Sequence, residues 1–199
     1  MSDILNKVEN YCKEMLTVGK CNLLPFHDLT HTQEVVNSVY EITQTLNLST
    51  LDLENVLIAA WFHDTGFTKD YKYHETCSKR IAEEFLNQQL LDQQRVSIIL
   101  KCIEVTKLGS KPVSMPEKII CDADLYHLSR CDYLFRNILL RKEWEKELGV
   151  FYSDNEWYKL NYKFLNEHKF YINRNNQNLN SKLKTNINKL RKLIDKSKV

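Results

Sequence analysis

The chain has 199 residues, of which 43% are hydrophobic and 27% charged, with a net charge of +2. That length and balance fit one globular domain, or one domain with a helical appendage, and they exclude a low-complexity or collagen-like chain. The first residues lack the apolar run of a signal peptide and no stretch approaches a membrane span, so a cytoplasmic protein without a membrane partner is expected.

Four glycines and three prolines are few, which suits long helices joined by short loops and predicts an all-α fold. Six cysteines without a C-x-x-C pair read as free, mostly buried thiols. The charge is uneven. Residues 173–199 hold eight Lys and Arg against one Asp, a balance of +7 that leaves −5 for residues 1–172. Residues 1–172 therefore read as the domain, and 173–199 as a basic helix packed on it or extending it. A solvated helix face is the expected role of that charge, and nucleic acid is not an expected partner.

In chain order, Ile4, Leu5, Val8, Tyr11, Cys12, Met15 and Leu16 predict a helix over 2–18, ended by Gly19. Thr30 with Gln33 reads as a capping box for a second helix, whose inner stripe is Val35, Val39, Ile42 and Leu46. His31, four residues before Val35, continues that stripe into the first turn, and His27 lies four residues earlier still. Ser49 with Asp52 caps a third helix, with Leu53, Leu57 and Ala60 inside. It runs into Ala59-Ala60-Trp61-Phe62-His63-Asp64-Thr65-Gly66-Phe67, apolar enough to be the most buried helix yet ending in adjacent His and Asp. Gly66 offers a left-handed residue to stop it.

The polar segment after Phe67, carrying Lys69 and Lys72, leads to a helix from about His74 with Cys77, Ile81 and Phe85 inside. A helix over about 92–107 follows, with Val96, Ile99, Leu100 and Ile103 inward and Lys107 at its end. Ser114 and Glu117 cap the next, where Asp122 and Asp124 interrupt an apolar run, and Asp124 shares the stripe of Ile120 and Leu128. Helices over about 130–148 and 154–171 come next, the second capped by Ser153 with Glu156 and inward through Trp157, Leu160, Phe164, His168 and Tyr171. An Asn-rich linker over 173–180 then reaches an amphipathic helix with Leu179, Leu183, Ile187, Leu190 and Ile194 inside.

Distant helical faces thus deliver His31, His63, Asp64 and Asp124 toward one interior point. Burying imidazoles beside carboxylates is costly unless a metal or strong hydrogen bonds compensate. Two neutral imidazoles and two carboxylates form a mixed nitrogen and oxygen set of net charge −2. Such a set suits a divalent ion of Mn, Fe, Co, Ni, Zn or Mg, with positions left for water or substrate. Cysteine-rich structural zinc sites look different.

His31, the His63-Asp64 doublet and the distant Asp124 resemble the H…HD…D signature of the HD-domain metal-dependent phosphohydrolases. Phe26-His27-Asp28-Leu29-Thr30-His31-Thr32, Phe62-His63-Asp64-Thr65-Gly66-Phe67, His74-Glu75, Thr106-Lys107 and Cys121-Asp122-Ala123-Asp124-Leu125 are similar to a bacterial branch of that superfamily. The resemblance runs over about residues 20–130 and touches Glu167-His168-Lys169-Phe170. It implies an all-α HD-domain helical bundle, here with additional C-terminal helices, and metal-dependent hydrolysis of a phosphate ester or anhydride of a nucleotide or cyclic nucleotide. The alternatives are a non-catalytic nucleotide-binding or signalling HD module and an HD-type iron oxygenase.

The resemblance implies metal ligation by His31, His63, Asp64 and one aspartate of the 122–124 trio. The Ala-Asp-x-Leu setting and the helical stripe favour Asp124, with Asp122 as the alternative. His27 resembles the first histidine of the Tyr-His-Asn-x-x-His segment of cyclic-nucleotide phosphodiesterases, which protonates the leaving oxygen, although Phe26 and Asp28 stand in place of Tyr and Asn. One histidine, His74, lies between the doublet and Asp124, where dinuclear members place two, so a single metal or a weak second one is expected. Asp64 is the expected proton acceptor, His27 or His74 assists the leaving group, and Lys107 offsets the phosphate charge, with Lys69 and Lys72 as further candidates. The expected partner is a small phosphate-bearing molecule, while its identity, the metal and the oligomeric state stay open.

Overall fold

A computed structural model of the chain describes residues 2–18, 20–172 and 178–197. Among these, the fold is all-α: nine α-helices joined by short turns, with no strand. The helices are α1 (Asp3–Thr17), α2 (Leu29–Thr43), α3 (Thr50–Phe62), α4 (His74–Gln88), α5 (Gln93–Glu104), α6 (Met115–Asp124), α7 (Tyr133–Leu148), α8 (Asp154–Glu167) and α9 (Leu179–Lys196). Short 3-10 turns occupy Lys20–Leu23, Thr65–Thr68 and Leu125–Ser129. No described helix is long and apolar enough to cross a membrane. Packing divides the chain into two compact units, Met1–Asp124 and Leu125–Val199.

The first unit is assembled around α3. Every residue from Asn55 to Phe62 is buried, and α1, α2, α4, α5 and α6 all contact this helix. A helix that is apolar on all sides has no solvent face to keep, so it takes the centre. Each fully buried Val, Leu, Ile or Phe here contributes about 1.5–3 kcal/mol over its exposed state. Ser49 opens α3 as its sequence predicts, accepting from the Asp52 N–H at 3.0 Å.

Two local expectations are corrected. The cap of α2 is Asp28, whose Oδ1 accepts from the His31 N–H at 3.0 Å, and Thr30 lies inside the helix. An aspartate one turn before His31 has the reach and charge to cap those amides better than a threonine two residues later. Gly66 is not left-handed, since the described glycines with positive φ are Gly109 and Gly149. It is needed for close approach instead. A Cβ at Gly66 would lie 1.9 Å from the His74 carbonyl oxygen and 2.7 Å from the Ser78 nitrogen. With hydrogen in that place, the Gly66 N–H donates to Ser78 Oγ at 2.8 Å and the start of α4 rests on the turn. The proposed terminator of α1, Gly19, lies outside the described residues.

In the second unit, α8 packs on α9, and the 3-10 turn Leu125–Ser129 lies against α7 and α9. Ser153 and Glu156 form the expected capping box. The inward face of α8 is Trp157, Asn161 and Leu165, whereas Leu160 and Tyr171 are exposed. Polar bonding selects that face. Asn161 Oδ1 accepts from Asn137 Nδ2 at 2.6 Å and from the Tyr133 hydroxyl at 3.3 Å, while Trp157 Nε1 donates to Asn137 Oδ1 at 2.7 Å. The helix ends at Glu167 and His168 is its extended C-cap. In α9 the expected Leu179, Leu183, Leu190 and Ile194 are buried, joined by Asn186, which donates to the Leu128 and Arg130 carbonyls at 2.9 and 2.8 Å. The linker expected over 173–180 falls largely outside the described residues. All six cysteines are free: Cys12, Cys21 and Cys102 are buried, Cys77 and Cys121 half-buried, and Cys131 exposed.

The Gly66 contact gives a direct test. Gly66→Ala is expected to destabilise the protein by roughly 3 kcal/mol, because backbone rather than a flexible side chain must shift. Ser78→Ala removes one hydrogen bond and should cost about 1 kcal/mol. Urea unfolding midpoints measure both, and equal effects would count against the steric account.

Candidate metal centre

Three helix ends meet in the first unit. The first turn of α2 carries His31, fixed through the Asp28 cap. The end of α3 carries His63, whose backbone N–H still donates to the Ala59 carbonyl at 2.9 Å, and Asp64 follows immediately outside the helix. Asp124 is the last residue of α6.

His63 is oriented by its other nitrogen. Nδ1 lies 2.8 Å from the Ala60 carbonyl oxygen, which can only accept, so a proton sits on Nδ1 and Nε2 faces the centre. Around that nitrogen the donor atoms are closely spaced. His63 Nε2 lies 3.1 Å from Asp64 Oδ2 and 3.6 Å from Asp124 Oδ1. His31 Nε2 lies 3.3 Å from Asp124 Oδ1 and 3.5 Å from Asp64 Oδ2. Such edges match ligands bound at about 2.0–2.2 Å to a common ion.

Two of these atoms are orphans. His63 Nε2 and Asp64 Oδ2 are buried and have no hydrogen-bond partner, although they stand beside each other. A shared cation satisfies both, and this carries the fit of the site to a metal. The electrostatics agree. Burial disfavours an imidazolium, but Asp64 and Asp124 outweigh it and hold His63 well above the usual imidazole range. Burial likewise opposes the carboxylates, yet the neighbouring imidazoles keep Asp64 and Asp124 below the usual carboxylate range. The cluster therefore favours positive charge at its middle. Access is open on one side, where the Asp124 and His74 side chains are 20% and 22% exposed.

His27 and His74 border the cluster. The His27 ring lies perpendicular to that of His31 with centroids 5.4 Å apart, and stacks on Phe67 at 4.6 Å. Phe67 also stacks on His74 at 3.8 Å. His74 Nδ1 lies 3.0 Å from the Tyr71 carbonyl, while Nε2 lies 4.0 Å from Asp64 Oδ1 and 3.5 Å from Glu75 Oε1. His27, His31 and Asp64 together form a second group whose ligand atoms all lie within 4.8 Å of one another.

The structure thus brings His27, His31, His63, Asp64, His74 and Asp124 together. Of the 122–124 trio, it is Asp124 whose carboxylate meets the imidazoles, and Asp122 is fully buried. Lys107 stands exposed in the turn after α5, and its ammonium has no partner among the described residues. Lys69 and Lys72 are exposed as well, the latter over the Tyr73 ring. Sequence reasoning missed the part of Phe67, the aromatic surface shared by two histidines. No local pattern marks Phe67, because its stacking on His27 and His74 is tertiary.

Fold and site together define an all-α chain with a buried His and Asp group able to hold a metal ion. No family model and no curated protein matches the sequence. A solved structure of a Lactobacillus plantarum protein, a structural-genomics target, is similar with a TM-score of 0.69, over 100% of this chain and 97% of that one, at 14% identity. At that identity the likeness is one of fold.

Metal binding is directly testable. The purified apoprotein is expected to bind a divalent transition ion by calorimetry and to melt at a higher temperature when loaded. Asp124→Asn and His63→Ala should each weaken binding by on the order of a hundredfold or more, whereas Asp122→Asn should retain it. Equal losses in the two aspartate variants would refute the assignment of Asp124.

Proposed function

We propose that this chain is a metal-dependent phosphohydrolase of the HD-domain superfamily, cleaving a phosphate ester or anhydride of a nucleotide or cyclic nucleotide. One observation carries the reading: the buried, unsatisfied His63 Nε2 and Asp64 Oδ2 face each other, with His31 and Asp124 closing the set. It joins the H…HD…D pattern of the sequence to a group of side chains able to hold a cation. The open side of the centre supports a substrate rather than a sealed structural ion.

His31, His63, Asp64 and Asp124 would hold the ion. A divalent cation there supplies Lewis-acid charge for a phosphoryl oxygen and makes water a better nucleophile near neutral pH. The chain's own groups complete the acid–base work. Asp64 turns Oδ2 toward His63 and Oδ1 toward His74, so this carboxylate is placed to accept a proton and pass it along the edge of the site. His74 keeps its Nδ1 proton on the Tyr71 carbonyl, and its Nε2 lies 3.5 Å from Glu75 Oε1. As an imidazolium it would give its Nε2 proton to a leaving oxygen and return to the neutral ring. His27, braced by Phe67, is the second candidate for that role. Lys69, Lys72 and Lys107 are exposed, and any of them that reaches a bound phosphate would offset its charge.

Turnover of p-nitrophenyl phosphate, bis-p-nitrophenyl phosphate and a nucleotide panel with Mn, Co, Ni, Zn and Mg tests the proposal. Activity should require a divalent ion and vanish in His63→Ala and Asp64→Ala with circular dichroism unchanged. His27→Ala or His74→Ala should keep the metal and lose about 10²–10⁴-fold in kcat. Tight metal binding with no turnover on any of these would replace the reading by a non-catalytic module, and oxygen consumption with redox iron would replace it by an oxygenase.

A further inference from the structure

A cavity of about 540 Å³ opens in the second unit between the end of α8 and the start of α9. Its floor is apolar, made by Leu165, Leu183 and Ile187. Its polar lining carries no carboxylate and includes Lys169 and Lys184, neither of which has an ion-pair partner among the described residues. Elsewhere the basic groups of Lys79, Arg95, Arg130 and Arg141 are ion-paired with carboxylates. Here two lie at the rim of a concave apolar surface, where field lines are focused and water is a poorer competitor.

His168 adds the second observation. It lines the same cavity, wedged between Phe164 at 6.2 Å and the edge of Phe170 at 4.8 Å, and its Nε2 is buried without a hydrogen-bond partner. Burial holds this imidazole below its ordinary range, so near neutral pH it is an uncharged ring. With Nε2 closed off from solvent, the ring serves the cavity as an uncharged flat wall against which an apolar body can lie. The Asn188 amide, also in the lining, has no partner among the described residues either.

We propose that this cavity binds a small organic anion, with its apolar body on Leu165, Leu183 and Ile187 and its charged group held by Lys169 and Lys184. The size is that of a ligand pocket rather than of a water-filled crevice. The site lies wholly within the second unit and does not depend on the phosphohydrolase reading.

The full-length protein and a matched pair of fluorescent probes test this. The anionic 8-anilinonaphthalene-1-sulfonate and the neutral N-phenyl-1-naphthylamine share one apolar body and differ by the sulfonate. The anionic probe should bind at one site per chain, more tightly than the neutral one. The double variant Lys169→Gln, Lys184→Gln should raise its Kd roughly tenfold while leaving the neutral probe unchanged. Both lysines are exposed, so an unchanged melting temperature verifies the fold. Asn188→Trp, which fills the cavity, should abolish both signals, and His63→Ala should alter neither. Binding of the anionic probe that ignores the lysine substitutions, or that survives Asn188→Trp, would overturn the proposal.

Discussion

The first unit depends on how two carboxylates and two imidazoles can be kept together inside hydrocarbon. Asp64 is 4% exposed, and His31 and His63 are each 1% exposed. At such sites a charge is tolerated only when opposite charge is close, and the cluster meets that condition with a proton or a cation at its centre. The surrounding architecture follows from holding four donors within bonding distance of one point. Helix α3 is apolar on every side so that its last turn ends in the interior. The Ala60 carbonyl fixes one face of His63, and the Asp28 cap fixes the first turn of α2. Gly66 lets α4 settle onto the turn after Asp64 and so delivers His74 to the same place.

Much of this was legible in the sequence because it obeys periodicity. The stripe Val35, Val39, Ile42 pointed His31 inward, whereas the register expected of Ile120, Asp124 and Leu128 does not hold, since α6 ends at Asp124, Leu128 lies in the following 3-10 turn and Asp122 is the more buried aspartate. The capping residues Ser49 and Ser153 announced their helices. Other features escaped for specific physical reasons. Asp28 and Thr30 both have capping side chains, and only the backbone path decides which is first out of the helix. The role of Gly66 is a tertiary approach by His74 and Ser78, invisible to local turn rules. The face of α8 was misread because Asn161 lies on it, and hydropathy marks an asparagine as exposed. The change of unit between Asp124 and Leu125 has no glycine or proline to mark it, since α6 passes straight into a 3-10 turn.

The two units solve the problem of interior polarity differently. In the second, the polar groups of Tyr133, Asn137, Trp157 and Asn161 satisfy one another through a chain of hydrogen bonds of 2.6–3.3 Å. Such a network fixes one register of α7 against α8, because a shift of either helix would leave several buried groups unpaired. Asn186 does the same for α9 by holding two carbonyls near the Leu125–Ser129 turn. These polar groups are consumed by the fold.

The His and Asp groups of the first unit are not consumed in this way, and that difference is what a cluster able to hold a metal ion requires. A set of side chains present only for stability would saturate its hydrogen bonds or give way to hydrocarbon, which replaces buried ion pairs at little cost or with a gain. Here His63 Nε2 and Asp64 Oδ2 are held beside each other without a bond, at an expected cost of about 1–3 kcal/mol each. A proton shared between the two recovers part of that cost, as the raised His63 and lowered Asp64 indicate. A divalent cation is the other occupant that accepts a nitrogen lone pair and a carboxylate oxygen at once. The packing of α2, α3 and α6 therefore sets the demand of the cluster for a proton or a cation, because it fixes how closely these donor atoms stand.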